Sequence, residues 1–564
     1  MLTSIPDITA KRAQLTPSAI AFRTLVSSAG EAVVANADAD ATDNSKDPDS
    51  TDAVSYRELD RRATQAAGLL AACGVSATDR VAVLCRNRVE FFELLFACAK
   101  LGAVLVPLNW RMPANELAPL LADAGPKVLL FGHQDAVVAR QLAAPEQAPV
   151  ARGGATGDAP EPADLIQLTA LIDLDDAGPE GYRARRDLAS PPPLRAHWSA
   201  SAPWYLLYTS GTTGTPKAVI QTAGMAMVNY VNIRHAMDIR GTDVTLNYLP
   251  LFHTAGINLV ALPTLIEGGE VLITTGFDLD QVVELLARGV LDTFFGVPAI
   301  YQQISLHPRF PRLDLGRVRS LGCGGAPMPD ELIRTYLARG ARVCNGMGMT
   351  ETGPTAFLMD AASVTSKIGS VGKPQLLTDV RIVATDSADS GSGDTDGGAG
   401  YRDVAAGETG ELWFGGPGIT PGYWQREEAN ATTFVVDSDG QRWLRSGDLG
   451  RTDSDGYYYI VGRIKDMYIS GGENVYPAEV ENLLAGHPDI LEAAVIAVAD
   501  DKWGEVGHAY LLPQPGHTLP DADQLIRFCR EHLAAYKVPK RFIAVDDFPR
   551  TAAGKIQKHL LGER

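Results

Sequence analysis

Cysteine, positive charge and long apolar runs are scarce in this chain of 564 residues. Its six cysteines form no Cys-x-x-Cys pair, and Cys73, Cys85 and Cys98 lie in apolar runs, which indicates buried thiols in a reducing compartment. The 50 Lys and Arg residues are outnumbered by 68 Asp and Glu residues, so the net charge is -18. This charge argues against nucleic acid or an anionic membrane as the main partner. Any phosphate must therefore be bound locally, by individually placed groups.

Signals for secretion and membrane insertion are also missing. Residues 1–25 lack the basic start and continuous apolar core of a secretion signal. Nowhere do about 18 uncharged apolar residues follow one another, as a membrane-spanning helix requires. Residues 562–564 match no C-terminal targeting or lipidation signal. We therefore expect a cytoplasmic protein without integral membrane association.

The length of the chain exceeds what one hydrophobic core usually serves, and 45% of the residues are apolar, so we expect two or more folding units. Three stretches are rich in Asp, Ser, Pro, Gly or Ala and can bury little surface. We predict that they are solvated loops between core elements. These stretches are residues 35–52, 144–193 and 387–400.

Between these stretches, amphipathic segments with helical spacing alternate with short apolar runs, which predicts an α/β layer architecture with parallel strands. A small β-rich subdomain is predicted after residue 407, followed by a compact unit of about 100 residues. The predicted helices are residues 56–73, 90–101, 279–288, 330–339, 477–485 and 521–533. The predicted strands are residues 80–84, 103–108, 244–251, 293–297, 342–345, 411–415, 456–462, 490–498 and 509–513.

Residues 208–217, Tyr-Thr-Ser-Gly-Thr-Thr-Gly-Thr-Pro-Lys, combine hydroxyls, glycines and a lysine in one short segment. Glycines allow backbone N–H groups to approach phosphate oxygens, hydroxyls add donors, and the lysine adds a cation, so the segment suits a polyphosphate. Its spacing differs from that of the nucleotide-binding P-loop. An ordinary surface turn is the alternative that composition alone leaves open.

Read in order, this segment resembles the phosphate loop of the adenylate-forming superfamily. That superfamily includes acyl-CoA synthetases, coumarate and benzoate CoA ligases, beetle luciferases and peptide-synthetase adenylation domains. Seven further segments match its motifs in the expected order, so the resemblance extends from about residue 56 to residue 558. These segments are residues 249–254, 324–327, 346–351, 446–448, 462–466, 470–477 and 549–555.

The resemblance implies a large N-terminal adenylation domain with a small β-rich subdomain over residues 1–461. A hinge over residues 462–466 and a small, mobile α+β domain over residues 467–564 would follow. The implied reaction joins a carboxylic acid to CoA through an acyl-adenylate, with ATP, Mg²⁺ and CoA as the small molecules required. Monomers and homodimers both occur among the relatives.

The resemblance assigns Glu351 to the Mg²⁺ ion and Asp448, supported by Arg463, to the ribose hydroxyls. The alternatives are a surface carboxylate or helix cap for Glu351 and a turn residue for Asp448. Met347 stands where the family usually has a Tyr or Phe that stacks on adenine, which puts that stacking in doubt. The implied ATP-binding residues are Thr209, Ser210, Gly211, Thr212, Thr213, Gly214, Lys217, Gly324, Gly325, Ala326, Asn345, Gly346, Met347, Gly348, Thr350, Asp448 and Arg463.

Lys555 is implied to be the lysine that stabilises the charge developing on the α-phosphate, although most lysines in such loops are simply solvated. The implied catalytic set is Lys555, Thr350, Glu351 and His253. Lys465 falls at the hinge position. The residues implied to line the CoA channel are Ser470, Gly471, Gly472 and Glu473, for which a plain turn is the alternative.

His253 resembles the gate beside the acyl pocket, with a core histidine as the alternative. Peptide-synthetase adenylation domains place an aspartate nearby for the substrate ammonium, whereas Thr254 and Ala255 stand here, so we expect a plain carboxylic acid. The residues of the segments 349–354 and 469–477 resemble those of feruloyl- or benzoate-type and fatty-acid ligases, and we favour aromatic or phenylpropenoic acids over fatty acids. The alternatives are an acyl-AMP ligase that serves a carrier protein and a non-catalytic nucleotide-binding scaffold. Candidate acyl-pocket residues are His253, Asn258, Val297, Gly322, Gly324 and Thr355.

Overall fold

The computed structural model of the chain describes residues 3–25, 50–143, 168–209, 216–385, 401–551 and 554–562. The helices are α1 Ile8–Leu15, α2 Tyr56–Ala72, α3 Val89–Leu101, α4 Ala114–Ala124, α5 Ala136–Ala143, α6 Tyr182–Leu188, α7 Ala223–Met237, α8 Ala261–Glu267, α9 Leu279–Arg288, α10 Pro298–Leu306, α11 Asp330–Leu337, α12 Glu427–Thr433, α13 Pro477–Ala485 and α14 Ala522–His532. Single 3₁₀ or π turns occupy His133–Asp135, Ala255–Leu259, Phe310–Arg312, Leu315–Arg317, Thr350–Thr352, Ile464–Asp466, Ala535–Lys537 and Lys558–Leu560.

The strands contain most of the β-branched and aromatic runs of the sequence. They are β1 Ser4–Pro6, β2 Ile20–Leu25, β3 Ser50–Ser55, β4 Arg80–Leu84, β5 Val104–Pro107, β6 Val128–Phe131, β7 Ala170–Asp173, β8 His197–Ser199, β9 Pro203–Thr209, β10 Lys217–Thr222, β11 Val244–Asn247, β12 Glu270–Ile273, β13 Thr293–Gly296, β14 Ser320–Cys323, β15 Val343–Met347, β16 Phe357–Leu358, β17 Lys373–Pro374, β18 Asp379–Val383, β19 Gly410–Gly415, β20 Phe434–Val436, β21 Arg442–Thr452, β22 Tyr458–Arg463, β23 Tyr468–Ser470, β24 Glu473–Val475, β25 Ile490–Asp500, β26 Gly504–Pro513 and β27 Arg541–Ala544.

The chain divides into two compact units. The first unit comprises Met1–Phe294, Thr350–Pro354 and Pro417–Asn430. The second unit comprises Phe295–Met349, Thr355–Gly416 and Ala431–Arg564. The predicted hinge at residues 462–466 stays a prediction.

A six-stranded sheet in the order β10-β9-β5-β4-β6-β7 dominates the first unit. Its strands β4, β5, β6, β7 and β9 run parallel, and β10 is antiparallel to β9 at the edge. In the same unit β11, β12 and β2 run parallel, and β3 is antiparallel to β2. Buried β4 and β5 side chains pack against α2 and α3, which confirms the predicted α/β layers.

Among its described residues, the second unit contains two five-stranded sheets and the neighbouring strands β14 to β17. Strands β14 and β15 are parallel, and β16 and β17 extend them in antiparallel fashion. Strands β18, β19, β21, β20 and β22 form an antiparallel sheet, which confirms the predicted β-rich subdomain. Near the C-terminus, β25 and β26 form a long hairpin that packs on α13 and α14 around Val480, Val495 and Leu525.

Two of the predicted loops extend too far toward the C-terminus, because long-range contacts place their last residues in strands or helices. Strand β3 begins at Ser50, inside the predicted loop 35–52, because it pairs with β2. Strand β7 and helix α6 both lie inside the predicted loop 144–193: β7 pairs with β6, and Tyr182 of α6 is fully buried. Residues 35–49, 144–167 and 387–400 lie outside the described residues.

The cysteines match the expectation of unpaired thiols. All six are free, five are buried, and Cys73 is half-buried. In the part of the chain that the structure describes, every helix is too short or too polar to cross a membrane.

Candidate functional site

The predicted phosphate loop connects β9 to the antiparallel edge strand β10 of the first unit. Thr209, the last residue of β9, lies directly opposite Lys217, the first residue of β10. The Thr209 hydroxyl donates to the Lys217 carbonyl at 3.3 Å, which closes the base of the loop. The tip of the loop, with Ser210, Gly211, Thr212, Thr213 and Gly214, lies outside the described residues.

Glu351 lies in a short 3₁₀ turn of the first unit and is only 6% exposed. The turn is fixed through its backbone: the Gln221 side-chain amide donates to the Thr350 carbonyl at 2.9 Å. The Thr420 N–H donates to the Glu351 carbonyl at 2.8 Å. The Tyr423 hydroxyl donates to Glu351 Oε1 at 2.9 Å. Sequence reasoning missed Gln221, Thr420 and Tyr423, because no local pattern links them to Glu351.

His253 ends a tight loop in the first unit and is half-buried. Burial lowers the pKa of His253 to about 4, so the imidazole is neutral at physiological pH. The Ala255 N–H lies 3.3 Å from Nδ1 of His253 and donates to it, which places the ring proton on Nε2. His253 is therefore arranged as a hydrogen-bond donor through Nε2.

Asn258, a candidate for the acyl pocket, lies in a buried polar network and is 1% exposed. Its Oδ1 accepts from the Tyr205 hydroxyl at 2.8 Å, and its Nδ2 donates to the Thr254 hydroxyl at 3.0 Å. A second asparagine, Asn87, donates to the Leu249 carbonyl at 2.8 Å at the start of the same loop. These bonds hold the π turn and the loop before it in one conformation.

In the second unit, the ends of β14 and β15 bring several predicted ATP-binding residues together. A Cβ on Gly324 would lie 3.3 Å from the Gly346 carbonyl oxygen, so these two segments approach closely. Asn345 on β15 is buried, and its Oδ1 has no hydrogen-bond partner among the described residues. Met347 is half-buried. The carbonyl of Gly322 on β14 accepts a hydrogen bond from the Tyr301 hydroxyl at 2.8 Å.

The remaining candidates near these strands differ in exposure. Gly325 is exposed, Ala326 and Gly348 are half-buried, and Thr355 is buried. The Cγ1 atom of Val297 would lie 3.5 Å from a Cβ on Gly325, so Val297 lies beside this loop.

Asp448, Arg463 and Lys555 come together in the second unit. Asp448 on β21 lies directly opposite Arg463 on β22, and Arg463 Nε donates to Asp448 Oδ1 at 2.8 Å. Burial raises the pKa of Asp448, and the positive charges of Arg463 and Lys555 oppose that shift. The strand register thus pairs a buried carboxylate with Arg463, and the charge of Lys555 acts on the same carboxylate.

The Lys555 side chain is exposed to solvent. Neighbouring protein atoms nevertheless lower its pKa to about 8. Desolvation is the main cause, and the positive charge of Arg463 adds to it. Its loop is closed by the Thr551 N–H, which donates to the Lys555 carbonyl at 2.7 Å. A Cβ on Gly554 would lie 3.5 Å from Val297 Cγ2, so the Lys555 loop lies beside this candidate acyl-pocket residue.

Lys465 is exposed in the 3₁₀ turn Ile464–Asp466, where both ends of the turn connect to strands. Ser470 is buried, whereas Gly471 and Gly472, in the turn between β23 and β24, and Glu473, the first residue of β24, are exposed. Gly471 has a φ of +63°, and a Cβ there would lie 2.9 Å from the Trp503 ring. Glycine is therefore required where this turn passes Trp503.

The chain is similar to several known CoA ligases. The chain is 40% identical to feruloyl-CoA synthase of an Amycolatopsis species over 90% of its length and 93% of that protein. It is 35% identical to indoleacetate–CoA ligase of Aromatoleum aromaticum, over 90% and 92% of the two chains.

The structure also resembles o-succinylbenzoate CoA synthetase of Bacillus subtilis in complex with its acyl-adenylate intermediate, at a TM-score of 0.78 and 29% identity. The similarity covers 99% of this chain and 98% of that one. The same enzyme has been solved with ATP and a magnesium ion, again with a TM-score of 0.78 and 29% identity, and that match covers 99% of this chain and all 100% of the other.

The family model for AMP-binding enzymes matches residues 31–424, and the model for their C-terminal domain matches residues 479–555. These matches confirm the resemblance to adenylate-forming enzymes that the sequence motifs indicate. The chain belongs to the AMP-binding enzyme family.

Proposed function

We propose that the chain is an AMP-forming carboxylic acid:CoA ligase whose substrate is an aromatic or phenylpropenoic acid. The observation that carries the site assignment is the meeting of Asp448, Arg463 and Lys555, because ribose recognition and adenylation require a carboxylate and a cation side by side. The CoA-ligase class itself is the class of the relatives that match along most of the chain.

The nucleotide would be held by groups of three kinds. The two acceptor oxygens of Asp448 suit the two ribose hydroxyls, and the Arg463 guanidinium, which donates to Oδ1, orients that carboxylate and opposes the rise in its pKa that burial causes. The Oδ1 of Asn345, which has no hydrogen-bond partner among the described residues, suits the exocyclic amino group of adenine. Lys217 and the loop that precedes it suit the phosphates.

Mg²⁺ fits the chemistry of Glu351. A buried carboxylate oxygen is the kind of ligand that Mg²⁺ prefers, and this ion usually takes its other ligands from phosphates and water. Consistent with that habit, the described residues contain no cluster of three or more His, Cys, Asp or Glu side chains able to hold a metal alone. When bound, the ion would neutralise phosphate charge.

In the first half-reaction, a carboxylate oxygen of the acid attacks the α-phosphorus of ATP. The new P–O bond forms as the bond to pyrophosphate breaks, and the products are acyl-AMP and pyrophosphate. Negative charge grows on the α-phosphate oxygens, and the protonated ammonium of Lys555 stabilises that charge. His253 would donate its Nε2 proton in a hydrogen bond to a substrate oxygen, with no transfer of the proton.

In the second half-reaction, the CoA thiol loses its proton and attacks the acyl carbonyl, and AMP leaves. Gly472 is exposed and a Cβ there would meet no atom within 4 Å, so this part of the turn is open to the thin pantetheine arm. We propose that the C-terminal domain rotates at Lys465 to present this turn, since an exposed lysine tolerates two solvent-facing settings.

The acyl group is assigned from the loop around His253. A neutral histidine and the buried, hydrogen-bonded Asn258 provide no charge for a substrate ammonium, which favours a plain acid. Val297, Gly322, Gly324 and Thr355 are the other residues proposed to contact the acyl group. Two of the relatives are named for aromatic acids, which supports the same choice.

The test is pyrophosphate release with and without CoA over a panel of aromatic, phenylpropenoic and fatty acids. We expect acid-dependent release, CoA-dependent thioester and the highest kcat/KM with an aromatic acid. If acyl transfer occurs only to a carrier protein, the carrier protein and not CoA is the acceptor. A preference for long alkyl acids would reject the assignment of an aromatic substrate. Failure of every acid across this panel would reject the ligase proposal.

A further inference from the structure

Tyr423 lies between two charged groups that are assigned to the ATP phosphates. Its hydroxyl donates to Glu351 Oε1 at 2.9 Å, and its ring centroid lies 5.2 Å from the ammonium nitrogen of Lys217. A cation at this distance from the face of a phenol is attracted by the ring. Tyr423 is 8% exposed, so both contacts are made in a mostly dry environment. One buried side chain therefore contacts both groups.

The backbone of Tyr423 is fixed from two sides. The Trp424 N–H donates to the Ala218 carbonyl at 2.8 Å, which ties the segment to β10 directly after Lys217. The Asn430 side chain accepts from the Tyr423 N–H at 2.7 Å and donates to the Tyr423 carbonyl at 3.0 Å. A Cβ on Gly422 would lie 2.7 Å from Asn430 Oδ1, so only glycine allows this close approach.

The backbone of Glu351 is fixed by the bond from Gln221 to the preceding Thr350 carbonyl and by the bond from Thr420, which lies three residues before Tyr423. The bond between the phenol and the carboxylate therefore joins two anchored points. A donor on one carboxylate oxygen restricts rotation of the carboxylate, so less ordering is needed when a cation binds. The phenol is uncharged, and it orients the carboxylate without neutralising it as a lysine or arginine would.

We infer that Tyr423 is a positioning residue for adenylation, which orients the Glu351 carboxylate and the Lys217 ammonium toward the metal-bound phosphates of ATP. This inference rests on the proposed function, because it takes Glu351 as the metal carboxylate. It predicts a defect confined to the half-reaction that uses MgATP. Thioester formation from acyl-AMP and CoA involves neither the β- nor the γ-phosphate.

The Tyr423→Phe variant tests this inference, because it removes the hydroxyl and keeps the ring against Lys217. A hydrogen bond to a charged group is worth enough to change binding about tenfold. We expect Mn²⁺ binding in the presence of ATP without acid, followed by electron paramagnetic resonance, to weaken about tenfold. The KM for MgATP should rise to a similar extent, while conversion of supplied acyl-AMP and CoA should change less than about twofold.

Tyr457→Phe is a matched control in the second unit. The Tyr457 hydroxyl donates to Asp360 Oδ2 at 2.9 Å, and its ring centroid lies 5.0 Å from the ammonium nitrogen of Lys367. It therefore loses the same kind of bond at a place unrelated to ATP. We expect Mn²⁺ binding and both half-reactions to stay at the wild-type level.

Combination with Glu351→Gln separates positioning from a general effect. If Tyr423 acts through Glu351, Tyr423→Phe should add no further loss of Mn²⁺ binding in the Glu351→Gln background. Additive losses, wild-type Mn²⁺ binding in Tyr423→Phe, or equal losses in both half-reactions would each overturn the inference. A wild-type enzyme that is inactive with every acid would instead reject the proposed function.

Thermal unfolding identifies any variant that is misfolded. Should Tyr423→Phe prove unstable, Asn430→Ala replaces it, since that change loosens the Tyr423 backbone and retains the phenol. The same selective weakening of Mn²⁺ binding is expected there, and wild-type binding would overturn the inference.

Discussion

Lys555 should make adenylation sensitive to alkaline pH. Desolvation by neighbouring protein atoms and the positive charge of Arg463 lower its pKa to about 8, well below that of an ordinary lysine. Only the protonated ammonium can stabilise the charge that grows on the α-phosphate. Adenylation should therefore decline as the pH rises through this pKa, and not as it falls.

The size of the decline follows from the protonated fraction of Lys555. With a pKa of about 8, roughly nine-tenths of the free enzyme carries the proton at pH 7 and about 3% at pH 9.5. If the neutral amine contributes nothing, kcat/KM for adenylation falls about 30-fold over this interval. Lys555→Arg keeps its charge throughout, since a guanidinium does not titrate in this range. Its rate should be lower overall and independent of alkaline pH.

Pyrophosphate release at low acid concentration measures kcat/KM, which reports ionisation of the free enzyme. The second half-reaction, started from synthetic acyl-AMP and CoA, is the internal control. It should rise toward pH 9, because the reactive thiolate becomes more abundant as a thiol of pKa about 8.5 ionises.

Two results would refute the reasoning. A flat wild-type profile between pH 7 and 9.5 would mean that Lys555 either keeps its proton or plays no part in adenylation. An equal alkaline decline in Lys555→Arg would assign the titration to another group.

Three further predictions concern single side chains. Asp448→Asn should raise the KM for ATP about tenfold or more, because an amide beside Arg463 cannot accept from both ribose hydroxyls. Steady-state kinetics measure this KM, and an unchanged value would contradict the prediction. For His253, the folded-state pKa of about 4 lies below the usual value of about 6.5, so stability is lost as the pH falls. The thermal midpoint of the wild type should thus drop relative to that of His253→Gln between pH 7 and pH 5, and a constant difference would argue against a buried neutral ring. Tyr182→Phe should destabilise the first unit by about 1–3 kcal/mol, because fully buried Glu93 loses a donor at 2.8 Å; a urea midpoint equal to that of the wild type would contradict this.

Elements with a clear apolar period could be predicted closely from the sequence. The predicted strand 80–84 and the predicted helices 279–288 and 477–485 match β4, α9 and α13 to the residue. In each case the pattern is local, and one apolar face faces one core. Helix α6 escaped prediction because its stability comes from Tyr182 and Arg186, which bond to Glu93 about 90 residues earlier. A Pro- and Gly-rich context conceals such a helix.

The candidate site, too, could be predicted only in part from the sequence. Family membership and the CoA-ligase class could be predicted from ordered motifs and are confirmed, whereas the roles of individual residues remain predictions. Asp448 and Arg463 were assigned to one ribose from the motifs, and the strand register brings them within 2.8 Å. Asn258 was predicted to line the acyl pocket from its position in the sequence alone. In the structure its side chain is hydrogen-bonded to Tyr205 and Thr254.

The sequence by itself determined the class of reaction, because the groups that handle phosphate, ribose and the reacting carboxylate occur in short contiguous motifs. Only the tertiary structure decided how those groups are oriented and charged. The bond from Tyr423 to Glu351 joins positions 72 residues apart, and the pKa of Lys555 depends on burial and on Arg463. Hydrogen bonds and desolvation between distant segments leave no periodic or local trace in a sequence, since they arise only when folding brings those segments into contact.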